Sequence, residues 1–370
     1  MNQEIITRQK KAMINEGLDG LIAVSPENLA YTTGVVVPSQ SLMRWRHAAS
    51  ILTSDGRLSF VVIDMEETTV KDHGDIADLR VYREFTEDPM DTLCAALRDL
   101  GLDRASVGIE MEYIPARDFL ALQRKIPEAR FVPADRLFDE LRVVKSGEEL
   151  ELLRSLSRIT DKAIGDALSK GRAGMTEMDL AGLLLSGIYA GGAEHFKLMI
   201  IASGERSQYP NVGPTQRVLK PGDLIRMEIF GVRKGYHAGV CRTAVVGEPT
   251  KEQEKIWANL IECKYLVMDM IKPGANCRNI YKRFLEKFSQ LGFQPISFVG
   301  HGIGVFLHEE PYMGRYGERT LDEGMVVAIE PLVYIPGRMG LQNKDMLAVT
   351  RDGCELLSDC TATDQLVRVA

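Results

Sequence analysis

The sequence predicts two domains: a small α/β domain at residues 1–145 and a larger α+β domain at residues 146–370. Three observations carry this. A chain of 370 residues is too long for one ordinary core. Through Val132, short apolar runs alternate with helical stretches, the pattern of an α/β domain. Ser146-Gly147-Glu148-Glu149 then forms a capping-box signature before a long helical run, and beyond it come helices, a hairpin and glycine-rich strands.

The elements follow in order. Residues 3–16 carry helical periodicity in Ile5, Ile6, Met13 and Ile14, and Gly17 ends that run. Leu21 to Val24 is a short apolar strand. Ser25 caps a helix whose first turn holds Pro26. Ile51–Thr53, a Ser-Asp-Gly turn and Leu58–Ile63 read as a hairpin. Strand Leu79–Tyr82, helix Met90–Leu100, strand Ser106–Glu110, helix Pro115–Ile126 and strand Arg130–Val132 complete the first domain. Helices follow at Leu150–Ser169 and from Gly174 to Gly191, then a strand at Phe196–Ala202. After a second hairpin come helices Lys251–Met270 and Cys277–Leu291. No internal repeat or low-complexity segment is legible.

Composition excludes several classes. Hydrophobic content of 45%, charged content of 26% and a net charge of −7 suit a soluble globular protein and argue against a nucleic-acid partner. No apolar run approaches the about 20 residues of a membrane span, and the charged N-terminus is no signal peptide, so a cytoplasmic location is expected. The six cysteines form no C-x-x-C pair, which argues for free thiols rather than structural zinc. Gly-x-Ser-x-Gly and P-loop signatures are absent.

The hairpin from Gly222 to Gly247 raises the chemical question. Leu224, Arg226, Glu228 and Phe230 share one face of its first strand, and Arg233-Lys234-Gly235 supplies the turn. Glu228 stands among aliphatic residues, where a carboxylate is costly unless paired or used. Downstream, His301 lies in Gly-His-Gly-Ile-Gly, His308 precedes Glu309-Glu310-Pro311, and Glu330 ends an apolar strand before Pro331.

These motifs resemble those of the methionine aminopeptidase, prolidase and creatinase family, the pita-bread enzymes. The resemblance implies a C-terminal pita-bread domain, a creatinase-type N-terminal domain, and a homodimer in which each small domain reaches its neighbour's site. Metal-dependent members use two Asp, one His and two Glu. The matching positions here are Glu228, Gly239, His301, Glu330 and Lys344. Glycine has no donor, and an ammonium repels a metal, so paired ions are not expected; Asp345 could swing in as a replacement. Two metal-free relatives, creatinase and ectoine hydrolase, also resemble the chain. Creatinase's second glutamate falls on Cys241 and its catalytic histidine on Asn211, which cannot act as a base. Its carboxylate-binding arginines fall on Arg46 and Arg315. The ectoine hydrolase likeness, which includes His237, implies that Glu228 attacks an amidine carbon.

The expectation is therefore a metal-independent, cofactor-free hydrolase of a non-peptide C–N bond, amide or amidine, in a small amino-acid-like carboxylate. Glu228 is nucleophile or base, and Glu330 holds a cationic nitrogen. His301, His308 and His237 handle protons, Arg46 and Arg315 grip the carboxylate, and Asn211, Cys241 and Lys344 line the substrate. Two alternatives stand beside it: a metal-dependent Xaa-Pro dipeptidase or aminopeptidase with a degenerate site, and an inactive peptide- or metabolite-binding homologue.

Overall fold

A computed structural model describes residues 2–43, 45–73 and 76–370. The chain forms two compact units, Met1–Arg142 and Val143–Ala370.

The first unit is built on a six-stranded mixed sheet, in the order Asp78–Tyr82, Leu58–Ile63, Ala49–Thr53, Gly20–Ala23, Ser106–Ile109, Arg130–Pro133. The hairpin read from the Ser-Asp-Gly turn is present: Ala49–Thr53 pairs antiparallel with Leu58–Ile63. Ser25 caps the helix Pro26–Thr33 by accepting from the Asn28 amide. Sequence reasoning passed over two helices, Glu67–His73 and Asp135–Val143. The first is only two turns long, too short to show a period.

The second unit begins with the expected capping box: Ser146 and Glu149 satisfy one another's backbone amides at the start of the helix Gly147–Lys170. Its four-stranded sheet runs Val367–Val369, Tyr236–Val246, Leu224–Arg233, His195–Ser203. A five-stranded sheet runs Glu309–Gly314, Phe298–Gly302, Val326–Ile329, Asp345–Val349, Cys354–Leu356. Strands Leu332–Ile335 and Met339–Gln342 pair separately.

A repeat that the sequence hides is plain in the backbone. Helices Gly147–Lys170 and Glu177–Ala190 are matched by Lys251–Met270 and Cys277–Gln290. Each pair is joined through a glycine with positive φ, Gly174 or Gly274, followed by a capping Thr176 or Asn276. Each cap residue also makes an isolated antiparallel bridge, to Val218 and to Thr320. The second helix pair packs on a core that includes Trp257, Leu260, Phe284, Phe288, Val299 and Ile329. That core puts the strand ends carrying His301 and Glu330 on a rigid base.

Candidate active site

The hairpin Leu224–Arg233 and Tyr236–Val246 turns through Lys234 and Gly235, both with positive φ. Its register sets Glu228 opposite Cys241 and Phe230 opposite Gly239. The four-stranded and five-stranded sheets of the second unit meet here. Cys241 and Lys344 exchange backbone hydrogen bonds of 3.2 and 3.1 Å. That bridge places the Lys344 side chain against the hairpin face bearing Glu228.

Lys344 is buried and its ammonium joins two buried carboxylates, lying 3.2 Å from Glu228 Oε1 and 3.1 Å from Glu330 Oε2. It also sits 4.4 Å from the centroid of the Phe230 ring, in cation–π reach. Burial alone would push this ammonium down; Glu330 and Glu228 outweigh it and raise it, so Lys344 stays charged. Burial raises the Glu330 carboxyl, with Lys344 pulling the other way.

A hydrogen-bonded chain supports the pair from behind. Gln342 Nε2 donates to Glu330 Oε2 at 3.2 Å, and Arg226 Nη1 donates to Gln342 Oε1 at 2.8 Å. Arg226 is fully buried, 4.0 Å from Glu228 Oε2. It also donates to the carbonyls of Ser207, Tyr209 and Pro210. Sequence reasoning placed Arg226 on the Glu228 face but gave it no task; the alternation of the strand was the available signal. Gln342 had no comparable signal.

The two motif histidines come together. The rings of His301 and His308 stack at 3.6 Å between centroids with 12° between planes, and Phe298 meets both edge-on. His301 Nδ1 lies 2.8 Å from the Gly302 carbonyl, which only accepts, so Nδ1 carries the proton. Nε2 is then a bare lone pair. It is buried, has no hydrogen-bond partner among the described residues, and lies 3.6 Å from Glu330 Oε1. Burial, then the charge of Lys344, holds His301 well below the usual imidazole range. The same causes push His308 down to about 4, so both rings are neutral at pH 7. The ligand atoms of His301, His308 and Glu330 lie within 4.8 Å of one another.

Other expected residues fall elsewhere. Asp345 does not swing in: it is bound by Arg242 Nη2 at 2.8 Å and Lys264 Nζ at 2.7 Å, with Asn343 and Ser358 also donating. His237 is four residues up its strand from Cys241, about 13 Å at strand rise. Its Nδ1 donates to the Gly304 carbonyl at 3.2 Å, and burial holds it down to about 4. Cys241 is a buried thiol, its pKa pushed well up by burial and by Glu228, so it offers no thiolate. Asn211 is exposed on the loop that Arg226 holds. Arg46 forms a two-pronged pair with Glu84, 2.9 Å on each prong, inside the first unit. Arg315 is exposed, its guanidinium 5.8 Å from the Tyr316 ring. Among the described residues no hydrogen bond or ion pair joins Arg315 to the buried cluster.

Comparison with known proteins gives these geometries a context. Residues 151–351 match metallopeptidase family M24, and residues 6–144 match the creatinase/prolidase N-terminal domain. An Xaa-Pro dipeptidase from Pyrococcus furiosus is 25% identical over 361 residues, 96% of this chain and 98% of that protein. One from Pyrococcus horikoshii is 29% identical over 68% of this chain and 73% of its own. A solved dipeptidase structure from Pyrococcus horikoshii superposes with a TM-score of 0.86 at 26% identity, covering 99% of this chain and 100% of that one. An X-Pro aminopeptidase structure from Thermotoga maritima, at 22% identity and a TM-score of 0.88 over 98% of this chain and 99% of its own, shares the fold.

These matches overturn the expectation of a metal-independent hydrolase of a non-peptide amide or amidine. That expectation counted two lost ligands along the hairpin and the final strands. The folded chain brings His308 against His301 and leaves a bare imidazole nitrogen facing Glu330, a donor set that the linear count does not contain.

Proposed function

The chain belongs to metallopeptidase family M24, hydrolases of peptide C–N bonds, and from that premise we propose that it cleaves Xaa-Pro dipeptides or similarly short peptides. One observation carries the reading: the stacked His301–His308 pair stands beside Glu330 on a chain that aligns almost end to end with an Xaa-Pro dipeptidase. His308 is neutral and open to solvent while His301 is enclosed, so it is the member of the pair that a substrate reaches. Glu330 and His301 face the reacting bond. Glu228 and Lys344 hold the field of the pocket constant. Arg315 is the candidate for the peptide carboxylate, which suits a guanidinium fork.

The residues do not fit a pair of metal ions. Gly239 has no donor, and a Cβ built there would lie 2.3 Å from Phe230 Cε1, so the ring already fills that space. At the other lost position Lys344 presents an ammonium. The same reading carries a homodimer, with Arg46 serving the partner's site, and a cytoplasmic location, which the six unpaired cysteines favour.

The test is proline release from Ala-Pro, Leu-Pro and Met-Pro by protein supplied with Co²⁺ or Mn²⁺. Turnover is expected, with kcat/KM lowered at least ~100-fold by His308→Ala. Absence of proline release from folded, ion-supplied protein would sink the reading and leave an inactive binding homologue.

A further inference from the structure

The centre holds its positive charge in an unusual form. Two buried carboxylates, Glu228 and Glu330, converge on one ammonium at 3.2 and 3.1 Å. Arg226 adds a second cation 4.0 Å from Glu228. The carboxylate pair is therefore already balanced, and a dication placed between these groups would meet like charge with nothing left to neutralise. The surroundings fix the arrangement. The Lys344 backbone is tied to Cys241 on both sides of the peptide, and its ammonium lies 4.4 Å from the Phe230 centroid. The same ring occupies the space that any side chain at position 239 would need.

One place remains where donor atoms are left without a partner, on the side of Glu330 turned away from Lys344. Glu330 uses Oε2 for Lys344 and Gln342, while Oε1 is turned to His301 Nε2 at 3.6 Å. Because Nδ1 donates to the Gly302 carbonyl, Nε2 presents a lone pair. A carboxyl oxygen and an imidazole nitrogen thus face each other in a buried site, with Nε2 unpartnered among the described residues. His308 lies against this gap, and the three ligand atoms span no more than 4.8 Å. Closing that span onto bonds of about 2 Å requires the two rings to turn out of their parallel stack, because imidazole lone pairs lie in the ring plane. Two imidazoles and a carboxylate form a set suited to divalent zinc, cobalt, iron or manganese.

We propose that the Lys344 ammonium is a built-in cation replacing one metal ion, so that the centre takes a single divalent ion on His301, His308 and Glu330. Glu228 then serves to hold Lys344 rather than to ligate. The inference rests on reading this cluster as the metallopeptidase centre, but not on Xaa-Pro specificity.

The experiment is titration of the full-length protein with Co²⁺, read by metal content after dialysis and by visible absorption. Wild type is expected to hold one Co²⁺ per chain. His301→Ala and Glu330→Gln should weaken binding at least ~100-fold, while Glu228→Gln keeps one ion. Lys344→Glu should raise the stoichiometry from one to two. Lys344→Gln, which removes only the charge, should tighten the single site by about tenfold or more. It decides the matter should the glutamate variant fail to fold. Two ions in wild type, none in wild type, or a folded Lys344→Glu still holding one would overturn the proposal, as would unchanged affinity in Lys344→Gln. The two readings fail separately: one bound Co²⁺ without any dipeptide turnover defeats the proposed activity, whereas turnover without a bound ion defeats this inference.

Discussion

Lys344 and Asp345 are neighbours with opposite tasks, and strand geometry separates them. Successive side chains on a strand point to opposite faces, so Lys344 reaches Glu228 and Glu330 while Asp345 reaches Arg242 and Lys264. Asp345 could enter the site only by abandoning two buried cations, which explains why it is no substitute ligand. Burial alone would raise the Asp345 carboxyl; Arg242 and then Lys264 outweigh it and bring it down to about 2. A carboxyl depressed on folding stabilises the fold above its unfolded value of 3.8 and loses that contribution as pH falls through the folded value. The contribution, roughly 2 kcal/mol by the usual conversion, is therefore present above about pH 4 and lost toward pH 2. Thermal melts of wild type and Asp345→Asn should differ most at pH 5–6 and converge as pH approaches 2.5; parallel curves would contradict the assignment. His301, His308 and Glu330 were legible because each sits in a local motif. Arg226 and Gln342 were not recognised, because they meet each other across 116 positions and Gln342 reaches Glu330 from another strand.

At the scale of elements, the hairpin decides what the site can hold. Phe230 and Gly239 are cross-strand partners, and the ring has moved into the space that the glycine leaves. Gly239→Asp should therefore destabilise the protein by overpacking, by about 1–3 kcal/mol, and should not create a ligand by itself. Phe230→Ala opens a cavity and also removes the ring beside Lys344. In the double variant the two defects should partly cancel, so its melting temperature should lie above the sum of the single losses. A strictly additive double variant would mean that the two positions do not compete for the same volume. Periodicity and caps revealed most elements here, including the helix Lys251–Met270 to the residue. The repeated helix pair escaped, because the two copies share backbone turns and caps rather than side-chain sequence.

At the scale of the molecule, every residue of the charge cluster and the proposed ion site lies in the unit Val143–Ala370. The segment 143–370 expressed alone should fold and bind the same single Co²⁺ per chain as the full protein. Loss of Co²⁺ binding in a segment with native circular dichroism would show that the first unit helps to build the site. What the sequence determined by itself was the two-unit α+β architecture, the capped helices, the hairpin and the candidate histidines and carboxylates. Those features follow from residue patterns a few positions long, where backbone geometry translates spacing directly into a shared face. Only the tertiary structure decided that Lys344 bridges Glu228 and Glu330, that Asp345 is spoken for, and that His301 leaves a lone pair facing a carboxylate. These contacts join residues from 14 to 116 positions apart, or turn on which nitrogen of a ring is occupied. Charge pairing of that kind depends on distance in space, and spacing along the chain does not encode it.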